Sequence, residues 1–189
     1  MDITDICFEH IKTVNDVQYH KALYGSFVVI MMKTDDYMNG YTNATKLCTD
    51  GGKIFKKWHR LDGSKGLITC LEQNLGGPDL APPDLCVKID FHGNNEEDRL
   101  ISGTYIHPKL IAHVGIWISP EFGLKVSDVV NRYFIEYFNT ELRNDKNKLE
   151  QQIKEYESVV ADKNNVITSL ENSNKELDST NKHQNQSIN

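Results

Sequence analysis

Gly40-Tyr41-Thr42-Asn43-Ala44-Thr45-Lys46-Leu47-Cys48-Thr49-Asp50-Gly51-Gly52-Lys53-Ile54-Phe55-Lys56-Lys57-Trp58 carries the turn, the cap and the charge around which the rest of the chain is organised. Thr34 to Gly40, ending in Asn39-Gly40, is turn chemistry, and Tyr41-Thr42 reads as the strand that returns from it. Asn43 is a good N-cap for a short helix through Leu47 and Cys48, because its side-chain oxygen can accept from an unpaired N–H of the first turn. Gly51-Gly52 then lets the helix stop and the chain turn. In the helix expected next, Ile54, Phe55, Trp58 and Leu61 form one apolar stripe, and Lys53, Lys56, Lys57 and Arg60 fall outside it. The stripe must be buried, so the cations must face water.

Upstream, the unbroken apolar run Phe27-Val28-Val29-Ile30-Met31-Met32 predicts a strand. Residues 1–26 carry a weak pattern (Ile3, Ile6, Phe8, Ile11, Val14) that fits either a short amphipathic helix or a strand-like arm. Downstream, Leu67, Ile68, Leu71 and Leu75 predict a helix over 64–75, closed by Gly76-Gly77-Pro78, with a loop to Pro83. Leu85 to Phe91 alternates as a strand with one buried face, and Gly93 to Asp98 reads as an acidic, exposed connection. Gly103 to Ile106 is a short strand. His107-Pro108 starts a helix through Leu110, Ile111, Val114 and Trp117. Ser119-Pro120-Glu121 starts the next, with Phe122, Val126, Val129, Val130, Tyr133, Phe134 and Tyr137 as its stripe. Gly40-Tyr41 ahead of Lys46-Leu47 is echoed by Gly103-Thr104 ahead of Lys109-Leu110, a hint of two related strand-helix-helix units packed together.

Composition shifts near residue 139, with every proline and almost all aromatic residues before it and Asn, Gln, Lys, Glu and Ser dominant after it. From Leu142 a heptad register holds, with Leu142, Leu149, Tyr156, Lys163, Leu170 and Leu177 at d and Lys146, Ile153, Val160, Ile167 and Asn174 at a. Eight of these eleven positions are apolar, which predicts a coiled coil whose simplest partner is a second copy. Lys146 and Lys163 weaken the seam, so the expected pairing is modest. The expected division is an N-terminal arm over 1–24, a compact α+β domain over 25–138, a coiled coil over 139–177 and a disordered tail over 178–189.

The formal net charge of −6 argues against a uniformly basic nucleic-acid coat, so local charge has to decide. Between Lys46 and Lys65 lie six cations (Lys46, Lys53, Lys56, Lys57, Arg60, Lys65) against Asp50 and Asp62, reversing the sign of the whole. Cations beside a glycine turn suit phosphate, and helix, Gly-Gly, helix is similar in outline to a helix-turn-helix. Cys7, Cys48, Cys70 and Cys86 lack metal-site spacing and read as reduced thiols; no metal or cofactor is expected. Trp58 and Trp117 read as core, and His107 and His113 as local hydrogen-bonding groups. No phosphate loop, H-E-x-x-H or nucleophile elbow occurs, so no enzyme is expected. No apolar run reaches membrane-spanning length and the first residues lack a basic signal region, so the expectation is an intracellular protein away from the membrane.

Gly40 to Cys48, Asp50-Gly51-Gly52-Lys53 with Phe55 and Trp58, Gly103 to Leu110, and Trp117-Ile118-Ser119-Pro120-Glu121-Phe122 together resemble, in the right order, the KilA-N domain of bacteriophages and large DNA viruses of eukaryotes. The resemblance covers about residues 25–138. That family is similar to the fungal APSES DNA-binding domains and is taken to bind DNA, which implies a compact domain with helix-turn-helix-like helix pairs. By the resemblance, Asn43, Thr45 and Lys46 match an N-A-T-K motif, and Lys53, Lys56, Lys57 and Arg60 sit in the second helix. Some poxviral members carry a RING zinc domain after this module; here the C-terminal part contains no cysteine. The expected function is a viral protein, acting inside the host cell, that binds duplex DNA through Asn43, Thr45, Lys46, Lys53, Lys56, Lys57, Arg60 and Lys65. It would homodimerise through Leu142, Leu149, Ile153, Tyr156, Val160, Ile167, Leu170 and Leu177. The alternative, which the acidic net charge favours, is a non-enzymatic adaptor clustering a host or viral protein.

Overall fold

The computed structural model describes residues 6–76, 81–93 and 95–186, with side chains to 181. β1 (Ile6–Val14), β2 (Val17–Tyr24) and β3 (Phe27–Lys33) form an antiparallel meander. Its first turn is Asn15-Asp16, whose φ angles of 48° and 64° match the twist of a tight hairpin. β4 (Thr42–Asn43), β6 (Gly103–Ile106) and β5 (Cys86–Ile89) extend the same sheet, giving the order β1-β2-β3-β4-β6-β5. The helices are α1 (Ala44–Asp50), α2 (Phe55–Arg60), α3 (Asp62–Leu75), α4 (Glu96–Ile101), α5 (Pro108–Ile118) and α6 (Pro120–Gln186). The architecture is α+β, as the sequence predicts.

Both faces of the sheet are covered. On one, Ala22, Val29, Met31 and Ile106 meet Leu47, Phe55, Trp58, Ile111, Val114, Val126 and Val129 of the helices. On the other, Tyr19, Ile30, Met32, Tyr41 and Tyr105 pack with Ile101 of α4. Burial on both faces explains why β3 is an apolar run with no alternation.

Residues 6–24, open between helix and strand-like arm in the sequence, are two full strands of the sheet. A bulge between His10 and Lys12 hides them. Before it, Ile6 and Phe8 face the helices; beyond it, Val14 joins Tyr19 on the opposite face. One extra residue moves the even-numbered row across the sheet, so no period of two survives. Two further expectations need correction. The stretch Gly93 to Asp98 is not all exposed connection, because Asn95 caps α4 by accepting from the N–H of Asp98 at 2.7 Å. Asp98 itself is buried and paired with Lys12 at 2.5 Å, an exception to the usual exposure of acidic residues. At the other end α6 runs to Gln186, past the Leu177 limit expected for the coiled coil; residues 187–189 of the expected tail lie outside the described residues, as do 1–5 of the arm and 77–80 of the loop.

The two strand-helix units pair through β4 and β6. Thr42 lies opposite Ile106 and Asn43 opposite Tyr105. The offset that carries Gly40 onto Gly103 carries the first of these pairs onto the second, which is what a local two-fold relation between the units requires. α1 and α5 follow their strands and touch each other across that axis. The chain divides into one unit ending at Tyr137 and another beginning at Phe138.

Burial pulls the imidazole of His20 below the ordinary 6.5, with His10 and Lys33 adding to the effect, and pulls His107 the same way, with Lys109 adding. A folded-state pKa below the unfolded value means the unfolded chain takes up protons first. Stability is therefore full above pH 6.5 and is lost as pH falls from there through the folded values. Denaturation midpoints measured between pH 7.5 and about 5.5 are expected to be level and then fall, and less steeply in His20→Gln. Midpoints that rise on acidification would contradict this assignment.

Candidate nucleic-acid interface

Asn43 begins the site as a structural residue. Its Oδ1 accepts from the N–H of Lys46 at 2.9 Å and its Nδ2 donates to the carbonyl of Ser102 at 3.1 Å, with the residue 1% exposed. Gly103 makes room for it, since an added Cβ there would lie 2.4 Å from Oδ1. Thr45, though exposed, uses its Oγ1 to accept from the N–H of Thr104 at 3.0 Å. The Asn43 and Thr45 of the motif thus tie the start of α1 to β6.

The turn after α1 is closed by backbone bonds from Gly51 N–H to Leu47 and from Lys53 N–H to Cys48, with Gly52 at φ +68°. Gly51 is pressed so closely against Ile118 that a Cβ would sit 2.4 Å from its Cγ2. Lys53 does not face solvent freely. Its ammonium donates to the Trp117 carbonyl and lies 4.4 Å from the centroid of that ring, a cation–π contact that clamps the turn to α5. Beside it Cys48 is buried, which pushes its thiol up to about 11.

α2 has six residues, about 9 Å of helix, and no side-chain cap. Phe55 and Trp58 are buried with their rings stacked at 5.7 Å. The predicted stripe is narrower than expected: Ile54 is 58% exposed and Leu61 44%, since they are the two cap residues and lie outside the helix proper. Lys56, Lys57, His59 and Arg60 are all exposed, and Lys57, His59 and Arg60 belong to the last turn, where the helix dipole favours cations. The cations thus gather toward the C-terminal end of α2 rather than at a helix N-terminus.

The remaining predicted cations form surface pairs with aspartates of their own helices. Lys46 pairs with Asp50 at 3.1 Å and Lys65 with Asp62 at 3.2 Å. Lys56, Lys57 and Arg60 form no ion pair with any described residue. Two of them border a groove of about 310 Å³ lined by Phe55, Lys56, His59, Arg60, Cys86 and Thr104. Burial and the nearby Glu72 push the Cys86 thiol up to about 11, so it stays neutral and adds no negative charge to that wall. His59, Cys86 and Thr104 were not among the predicted site residues. Nothing in the sequence brings the last two to α2; the pairing of β5 with β6 does. Among the described residues no three His, Cys, Asp or Glu side chains gather as a metal site, and no helix is long and apolar enough to cross a membrane.

A sheet of this order with two strand-helix units facing across it, one presenting a short basic helix, defines the class, a small α+β domain with a local cationic face. The KilA-N domain model matches residues 22–136, and the chain belongs to that family. A KilA-N domain-containing protein of Invertebrate iridescent virus 6 is 34% identical over 155 residues, covering 82% of this chain and 40% of that protein. One of Acanthamoeba polyphaga mimivirus is 36% identical over 148 residues, covering 78% of this chain and 28% of that protein. An uncharacterized fowlpox virus protein, FPV248, is 31% identical over 150 residues, and there the match takes in 91% of the relative. The chain thus spans well under half the length of the first two. No solved structure matches it.

Because Asn43 holds two elements together, Asn43→Ala is expected to cost about 1–2 kcal/mol in thermal or chemical unfolding. DNA affinity measured well below the melting temperature is expected to be unchanged. Parent-like stability combined with lost binding would instead make Asn43 a direct contact.

Proposed function

We propose that this chain is a non-enzymatic viral DNA-binding protein acting inside the host cell, with Lys56, Lys57 and Arg60 of α2 contacting duplex phosphates. Thr45, Lys46 and Lys65 flank the approach, while Asn43 anchors the start of α1 and Lys53 braces the turn before α2. The single observation that carries the reading is that these three cations are exposed and form no ion pair with any described residue, on a helix whose other side is pinned by Phe55 and Trp58. Family membership supports it, since the KilA-N domain is usually DNA-binding. The seam residues Leu142, Leu149, Ile153, Tyr156, Val160, Ile167, Leu170 and Leu177 are each more than half exposed in the single chain. Covering them with a second copy would double the phosphate contacts and offset the small charge of each site.

The acidic net charge favours a second reading, an adaptor that holds a protein partner. Retention of a host or viral protein by a chain that leaves duplex DNA unbound would select it.

If three cations per domain meet phosphate, log K is expected to fall against log salt with a slope of roughly −3 per domain in gel-shift titrations on random duplex. Replacing Lys56, Lys57 and Arg60 with Ala is expected to weaken binding equally across sequences and flatten the slope, with circular dichroism unchanged. A triple variant that binds as the parent does would refute the site.

A further inference from the structure

The two flanks of the α6 seam differ in chemistry. On the e side stand Arg143 at the start and then Glu150, Glu157, Asn164, Glu171 and Asp178. On the g side stand Asp145, Gln152, Val159, Val166 and Ser173. Glu157 and Glu171 form no ion pair with any described residue, and Glu150 has only the long 3.6 Å pair with Lys146 of its own helix. Val159 and Val166 are 48% and 58% exposed.

A second copy matches neither flank. In a parallel pair the e row of one helix faces the g row of the other. Asp145 then approaches Glu150, Gln152 approaches Glu157, and Val166 lies against Glu171, with no opposite charges brought together and Lys163 meeting its own copy in the seam. In an antiparallel pair each row faces itself. The valine row then faces itself, Arg143 reaches the terminal Asp178, and Glu150 faces Glu171. Either orientation leaves Glu150, Glu157 and Glu171 uncompensated, so self-association rests chiefly on the seam.

We infer that the preferred partner of α6 is an amphipathic helix of a different chain, with an apolar a/d seam, Lys or Arg along the flank that faces Glu150, Glu157 and Glu171, and apolar side chains along the flank that meets Val159 and Val166. An acidic residue opposite Lys163 completes the match. The inference rests on the reading that the α6 seam packs against another helix. It adds that the self-paired form is the weaker one and is displaced by a basic-flanked helix.

The test uses the full chain and three synthetic helical peptides matched in length to residues 142–177. One has an Ile/Leu seam with Lys along one flank and Val along the other, one the same seam and valines with Glu in place of Lys, and one the Lys and Val flanks on a Gln/Ser seam. Fluorescence anisotropy is expected to show the first binding about tenfold or more tighter than the second, with the advantage shrinking as salt is raised. The third is expected not to bind. Reversing the flank with Glu150→Lys, Glu157→Lys and Glu171→Lys is expected to swap the preference to the Glu-flanked peptide. Equal binding of the two apolar-seam peptides would overturn the inference while leaving the seam intact. Binding of the polar-seam peptide as strong as the first would overturn it as bulk charge attraction. A monomeric chain that binds none of the three would overturn the seam reading itself, and the inference with it.

Discussion

Two stacked rings, Phe55 on Trp58, decide which way α2 faces. Six residues are too few for a helix to persist in water, since nucleation costs more than one or two hydrogen bonds return. What holds α2 is the burial of these rings, about 2–3 kcal/mol each. The rings join the core formed by Leu47, Ile106 and Val114. With that side committed, Lys56, Lys57 and Arg60 have only solvent to face. The Lys53 clamp on Trp117 adds a second fixed point at the entrance to the helix.

Much of this was legible in the residues because the signals were local. Asn43 caps α1, His107 and Pro108 open α5, and Ser119 accepts from the N–H of Phe122 at the start of α6. Asn43, His107 and Ser119 are polar side chains within three residues of the group each serves, and Pro108 fixes the backbone of the first turn. The illegible parts depended on distant partners. β1 hid behind its bulge, and α4 looked exposed because nothing near Asp98 in sequence reveals that Lys12 reaches it. The cationic cluster was counted correctly as charge, but charge does not show pairing. Lys46 and Lys65 each have an aspartate four or three residues away that their geometry reaches, and with Lys53 held on Trp117 half of the six predicted cations are occupied.

The local two-fold of the domain gives these differences a frame. β4 with α1 and β6 with α5 occupy related positions, and each unit opens on a glycine with positive φ, Gly40 at 81° and Gly103 at 152°. The first unit turns at Gly51-Gly52 into a short helix whose exposed cations pair with no described residue. The second turns at Ser119 into α6, whose early stripe of Val126, Val129 and Tyr133 is core. One unit presents charge while the other closes the fold, which locates a cationic face on a chain whose net charge is −6.

The most direct measurement of the central claim is the acylation rate of individual lysines, read by mass spectrometry with and without duplex DNA. Lys56 and Lys57 are predicted to react readily in the free protein and to be shielded by DNA, while Lys148 and Lys154 of the C-terminal helix react alike in both states. Lysines 56 and 57 that stay equally reactive when DNA is bound, or shielding spread evenly over the chain, would contradict the assignment of that face.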